Sequence, residues 1–155
     1  MKLVTFKYNN NHIRLGLLIS NSYENSEFIY DLNNISNGAI PSDIIDFLND
    51  SEYYLDLVKK IDLEDKSNSE FRFPISKVKL LSPIPSPKSL RDAYAFRQHV
   101  EAGRKNRGLD MIPEYDQFPV FYYGNHNAIG GPGEVQIQKA QSVKLDYELE
   151  IAAII

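Results

Sequence analysis

Three acids stand at alternate positions near the end of the chain, in Leu145-Asp146-Tyr147-Glu148-Leu149-Glu150-Ile151. In a strand, residues two apart share a face, so Asp146, Glu148 and Glu150 point one way while Tyr147, Leu149 and Ile151 point the other. Same-face neighbours lie about 6.6 to 6.8 Å apart. Carboxylates at that spacing repel one another unless a cation or several arginines sit between them. A hard divalent ion meets that need, and a solvated acidic face on an antiparallel strand fits the same spacing. The continuation Ala152-Ala153-Ile154-Ile155 loses the alternation. It reads as a strand entering a core covered on both faces, so the acids beside it are expected to be enclosed.

A second dense group is Arg91-Asp92-Ala93-Tyr94-Ala95-Phe96-Arg97-Gln98-His99, followed by Arg104, Lys105 and Arg107. Leu90, Ala93, Phe96 and Val100 recur at helical spacing, which predicts a helix from Ser89 to Ala102 with Ser89 as its cap. On that helix Asp92 and His99 share a face, about 10.5 Å apart along the axis. That is too far for one ion, but it suits an acid and a histidine working on opposite sides of a substrate. A histidine's ordinary pKa of about 6.5 suits proton abstraction near neutrality. Beside an apolar stripe, a histidine serves equally well as a structural residue. An arginine presents a planar two-pronged donor to a small carboxylate, whereas Arg104 and Lys105 read as a solvated helix end near its negative dipole terminus.

Around these groups, residues 1 to about 40 alternate with period two: Leu3/Thr5/Lys7 against Val4/Phe6/Tyr8, then Ile13/Leu15/Leu17/Ile19, then Phe28/Tyr30/Leu32. Asn-rich and Ser-rich breaks between them form turns, giving a small antiparallel sheet. Ser42 is a candidate N-cap before Ile44, Ile45, Phe47 and Leu48, and Ser51 one before Tyr54, Leu55, Val58 and Ile61. These helices are expected to cover the sheet. Phe71 to Leu81 resumes a strand-like pattern. Pro83, Pro85 and Pro87 make a stiff extended connector, which places a domain boundary between 1–80 and 81–155. After the short apolar strand Val120-Phe121-Tyr122-Tyr123, Gly130-Gly131-Pro132-Gly133 lacks both phosphate-binding glycine patterns and reads as a structural turn.

Composition narrows the function classes. A net charge of −4 with 17 Lys and Arg against 21 Asp and Glu does not fit a nucleic-acid-seeking surface. No apolar run approaches the ~20 residues of a membrane span. The alternating start lacks a signal-peptide core, so the expectation is a cytoplasmic protein with no nucleic-acid or membrane partner. The absence of cysteine removes disulfides, thiolate metal sites and a cysteine nucleophile.

Taken together, Arg91-Asp92-x-Tyr94-x-x-Arg97-Gln98-His99, Arg107-Gly108, Pro119-Val120-x-Tyr122 and Leu145-Asp146-Tyr147-Glu148-Leu149-Glu150 resemble the fumarylacetoacetate hydrolase family. The resemblance covers about residues 80 to 155 and lies at the start of the family's catalytic domain; residues 1–80 resemble the small N-terminal domain of longer members. It implies a mixed α+β, β-rich chain, in which a small antiparallel sheet with helices precedes the first part of a fumarylacetoacetase-like mixed β-roll, apparently truncated.

The activity implied is cleavage of a carbon–carbon bond in a β-diketo acid, in the catabolism of aromatic compounds, with Mg²⁺ or Ca²⁺ held by carboxylates. Mn²⁺ is compatible with the same all-oxygen shell. By resemblance, Glu148 and Glu150 are metal ligands, Asp92 is a further metal-binding acid and His99 activates water, while Tyr94, Arg107 and Tyr122 contact the substrate. Family members also isomerise, hydrate or decarboxylate 2-oxo acids, and a non-enzymatic remnant is the third reading. A homodimer of the intact protein fits the resemblance. The stretch from His99 to Arg107 is a residue shorter than in fumarylacetoacetase. The family takes a further aspartate ligand, a lysine and the acid that orients the histidine from later sequence, so these 155 residues alone are expected to be inactive or very weak.

Overall fold

The alternating segments at the start of the chain do form strands. In the computed structural model, which describes residues 1–9, 12–21, 26–67, 69–137, 144–145 and 147–155, β1 (Lys2–Tyr8), β2 (His12–Asn21) and β3 (Ser26–Asp31) run as an antiparallel meander. Two short strands from much later in the sequence complete the sheet: β4 (Arg72–Pro74) pairs with β3 and β5 (Lys79–Leu80) with β1. The order is β4-β3-β2-β1-β5. The strand-like stretch from Phe71 to Leu81 is thus divided between opposite edges of the sheet, with a 3-10 turn at Ile75–Lys77 carrying the chain across.

Gly16 lies at the sheet centre, where a Cβ would come within 2.4 Å of Ile29 Cγ2 and 2.9 Å of Phe6 Cε1. A larger residue there would displace both neighbours. The core gathers Leu15, Leu17, Tyr30, Leu32, Ile35, Ile40, Ile44, Phe47 and Val58. The last six come from helices α1 (Leu32–Ile35), α2 (Ile44–Asn49) and α3 (Ser51–Lys59) and the link before α2. Burying side chains of this size contributes about 1.5–3 kcal/mol each. Phe47 also meets Tyr54 with ring centroids 5.5 Å apart.

The caps differ in register from those expected. Asp43, not Ser42, caps α2, its carboxylate accepting from the backbone N–H groups of Ile45 and Asp46. Ser51 is the first residue of α3, and Asp50 precedes it without a side-chain cap bond. Asp31 caps α1 by accepting from the Asn34 N–H, and the same buried carboxylate takes two bonds from Arg14 at 2.8 and 2.9 Å and one from the Asn34 side chain at 2.9 Å. Four donors on one carboxylate satisfy its lone pairs, which is what burial of the charge requires.

The proline connector begins as part of this sheet. The Leu81 N–H donates to the Thr5 carbonyl at 2.9 Å, the Thr5 hydroxyl donates to the Pro83 carbonyl at 2.6 Å, and Ile84 packs against the core. Beyond it lies a second, two-stranded sheet of β6 (Arg91–Ala93) and β7 (Phe121–Tyr123), with α4 (Arg97–Asn106) between them in sequence. The helix expected from Ser89 to Ala102 therefore begins eight residues later. Its first part is drawn into the ladder with β7, which the Tyr94 N–H extends to the Val120 carbonyl at 3.0 Å and the Gly124 N–H to the Leu90 carbonyl at 3.0 Å.

Gly131 approaches the first sheet closely, since a Cβ there would lie 2.6 Å from Leu81 Cα. That contact explains the glycine as a packing requirement. No helix among the described residues is long and apolar enough to cross a membrane.

Candidate functional site

The β6–β7 ladder brings two of the candidate residues together. Asp92 stands directly opposite Tyr122, and opposed residues of an antiparallel pair project to the same face. Arg91 opposes Tyr123 and Ala93 opposes Phe121 on the other face. There the Arg91 guanidinium lies 5.4 Å from the Phe121 ring centroid and 5.6 Å from that of Tyr123, within the range of cation–π attraction. The alternation thus separates an Asp–Tyr face from an Arg–aromatic face. Tyr94 follows at the end of β6, tied by its backbone to Val120, after which the chain turns sharply, the Ala95 N–H donating to the Ala93 carbonyl at 2.8 Å. Asp92, Tyr94 and Tyr122 are all exposed.

His99 sits in the first turn of α4 and is also exposed, one residue before Val100, which anchors the helix at 4% exposure. The expected shared helix face of Asp92 and His99 does not exist, because Asp92 is on a strand and His99 on a helix.

What fixes the start of α4 is Arg97. It donates to Glu101 at 2.8 Å one turn along, forms a short charged bond with Asp116, and lies 5.5 Å from the Tyr115 ring centroid. The Asp116 carboxylate holds the Arg97 guanidinium above its already high ordinary value. The Tyr115 hydroxyl donates to the Ala95 carbonyl at 3.4 Å, so the 3-10 turn Pro113–Asp116 braces the segment just before His99. The Arg97/Glu101 spacing was readable as a helical ion pair. Asp116, in an irregular stretch, carried no periodic signal.

At the other end of α4, Arg104 and Lys105 occupy the last turn, where positive charge complements the helix dipole. Arg107 follows as the C-cap, its Nε donating to the Gly103 carbonyl at 3.0 Å. Eight residues of helical rise separate it from His99 by about 12 Å along the axis.

Glu148 and Glu150 do not lie on a strand. Among the described residues, 147–155 form no regular element, and Tyr147, Leu149, Ile151 and Ile155 stand at 88%, 96%, 101% and 117% exposure. The enclosed acidic strand is therefore corrected to an exposed segment outside any regular element; Asp146 lies outside the described residues. No group of three or more His, Cys, Asp or Glu that could hold a metal ion occurs among the described residues. Asp92, Glu148 and Glu150 have the oxygen donors that a hard divalent ion takes, and their placement here does not gather them around one.

Residues 88–155 match the family model described as fumarylacetoacetate (FAA) hydrolase C-terminal. A curated relative, the fumarylacetoacetate hydrolase domain-containing protein 2 homolog of Dictyostelium discoideum, is 30% identical over 159 residues, an alignment that takes in all of this chain and 46% of the relative. The chain spans about half the length of that relative.

Proposed function

Since the chain belongs to the fumarylacetoacetate hydrolase family, we propose that the intact protein is a metal-dependent hydrolase that cleaves a carbon–carbon bond in a small β-diketo acid. The family match over residues 88–155, which contain every candidate site residue, carries this reading. We assign Asp92, Glu148 and Glu150 as ligands of Mg²⁺ or Ca²⁺, with Mn²⁺ as the alternative. Such an ion, when bound, supplies Lewis-acid stabilisation of the enolate.

The chain's own residues divide the remaining work. His99 takes a proton from water, and the resulting hydroxide adds to one carbonyl carbon of the substrate. The bond between that carbon and its neighbour then breaks. Its electron pair leaves with the neighbouring fragment as an enolate, which is protonated to the ketone. Arg107 pairs with the substrate carboxylate, and Tyr94 and Tyr122 donate hydrogen bonds to its oxygens. The opposition of Asp92 and Tyr122 across the ladder supports placing a substrate contact beside a metal-binding acid. A cytoplasmic location and a homodimeric intact enzyme complete the proposal.

Mass spectrometry of the products formed by the intact protein from a β-diketo acid, with and without Mg²⁺, tests the reading. Hydrolysis gives two fragments whose masses sum to substrate plus water. Loss of carbon dioxide, a new product of unchanged mass, or one product heavier by a water would replace it with decarboxylation, isomerisation or hydration. In the same protein, Glu148→Gln is expected to weaken Mg²⁺ binding and turnover together; unchanged metal affinity by calorimetry removes Glu148 from the ligand set. His99→Ala is expected to keep metal affinity and abolish turnover, and retained turnover removes His99 from the mechanism.

A further inference from the structure

A basic concavity of about 230 Å³ opens at the β1–β5 edge of the first sheet, lined by Lys7, Tyr8, Asn9, Lys77 and Lys79. Its position is unusual for a chain of net charge −4. Lys7 and Lys79 are direct cross-strand partners, an arrangement that places two ammonium groups on one face and is destabilising when nothing lies between them. Lys77 reaches the same hollow from the 3-10 turn before β5. None of the three takes part in an ion pair among the described residues. The lining holds no carboxylate and is completed by Tyr8, whose ring packs against Phe73 with centroids 4.2 Å apart, and by Asn9.

We propose that this concavity binds a small polyanion of the diphosphate type, at a site separate from the candidate catalytic residues. Lysines act as point charges that donate to phosphate oxygens from many directions, whereas a lone carboxylate is better matched by arginine's planar fork. A single phosphate monoester brings about −1.5 to −2 charges at pH 7, less than three ammonium groups call for, so two linked phosphates match the site better. The hollow is also smaller than the about 300–1,000 Å³ typical of pockets that enclose a drug-sized ligand. It therefore takes the phosphates and leaves any organic group they carry outside.

The test is calorimetric titration of the full chain with inorganic diphosphate, with sodium chloride at matched ionic strength as control. Saturable binding by the wild-type chain is expected, weakened at least about tenfold in Lys7→Gln/Lys79→Gln, since a tenfold loss corresponds to about 1.4 kcal/mol shared by two charged contacts. In the absence of diphosphate at low salt, that double variant should melt no lower than wild type, because it removes a like-charge pair and no partner. Lys77→Gln, which lies outside the strand ladder, should weaken binding without changing the melting midpoint. Heat no larger than the chloride control, or undiminished affinity in both variants, overturns the site.

Discussion

Between Lys2 and Ser82 the chain closes a sheet around Phe6, Leu15, Ile29, Leu32, Ile40 and Phe47, each at or below 1% exposure, whereas past Ser82 Val100 is the one buried residue among those described. The two regions are held in different ways. The first depends on apolar burial and a meander of strands that follow one another in sequence. The second depends on a ladder of three residue pairs between β6 and β7 and on one arginine that ties α4 to the turn at Pro113–Asp116. Every residue with a proposed catalytic role lies in the second region, so changes there can alter chemistry while leaving the folded core intact. Changes to the apolar core of the first region act through stability.

The strongest way to sharpen that contrast is Phe47→Ala. The ring is 1% exposed and packs on Tyr54, so its removal is expected to cost about 3–5 kcal/mol by urea unfolding of the full chain. A loss under about 1 kcal/mol, the size of an ordinary substitution, would deny the first region its core. Arg97→Gln comes next and probes the second region. It should leave the unfolding midpoint within scatter of wild type while speeding amide hydrogen exchange through Pro113–Asp116, because that turn loses its charged tether. Unaltered exchange there would mean that the turn is held by something other than Arg97.

The smallest effect is expected at the exposed end of α3. The hydrogen bond from Lys59 holds the Asp56 carboxyl below its ordinary 3.8. A lowered folded value gives stability that is present above the unfolded value and lost as pH falls through the folded one. The slight disadvantage of Asp56→Asn should therefore be flat from pH 7 to about 4, near the ordinary aspartate value, and fade in stronger acid. A difference that grows on acidification would reverse the sign of the pairing.

The first region was largely legible in the sequence because its first three strands alternate and pair with their immediate neighbours in order. What escaped there were the division of Phe71 to Leu81 between two edges of the sheet and the identity of a cap: Asp43 outcompetes Ser42 because its carboxylate reaches two N–H groups at once. The second region was less legible for a physical reason. Leu90, Ala93, Phe96 and Val100 carry helical spacing, yet the backbone from Arg91 to Ala93 satisfies its hydrogen bonds on a partner some thirty residues away, and no local pattern reports such a partner. Phe96 shows the cost of trusting the spacing, since it ends as an extended N-cap at 78% exposure. The acids at Glu148 and Glu150 have strand spacing without a strand, because alternation alone does not supply a neighbouring backbone to pair with. Their proposed roles come from the family's motif and not from their surroundings here.

The pairing of β5 with β1 also has a bearing on biosynthesis. One edge of β1 is sealed by β2 almost as soon as both are made, but its other edge waits for residues 79–83, more than seventy positions later. At about 5–20 residues per second on the ribosome, the nascent chain carries that open strand edge for roughly 4–15 s. Over that interval a chaperone or a neighbouring nascent chain competes with Lys79, Leu80 and Leu81 for the same row of backbone groups.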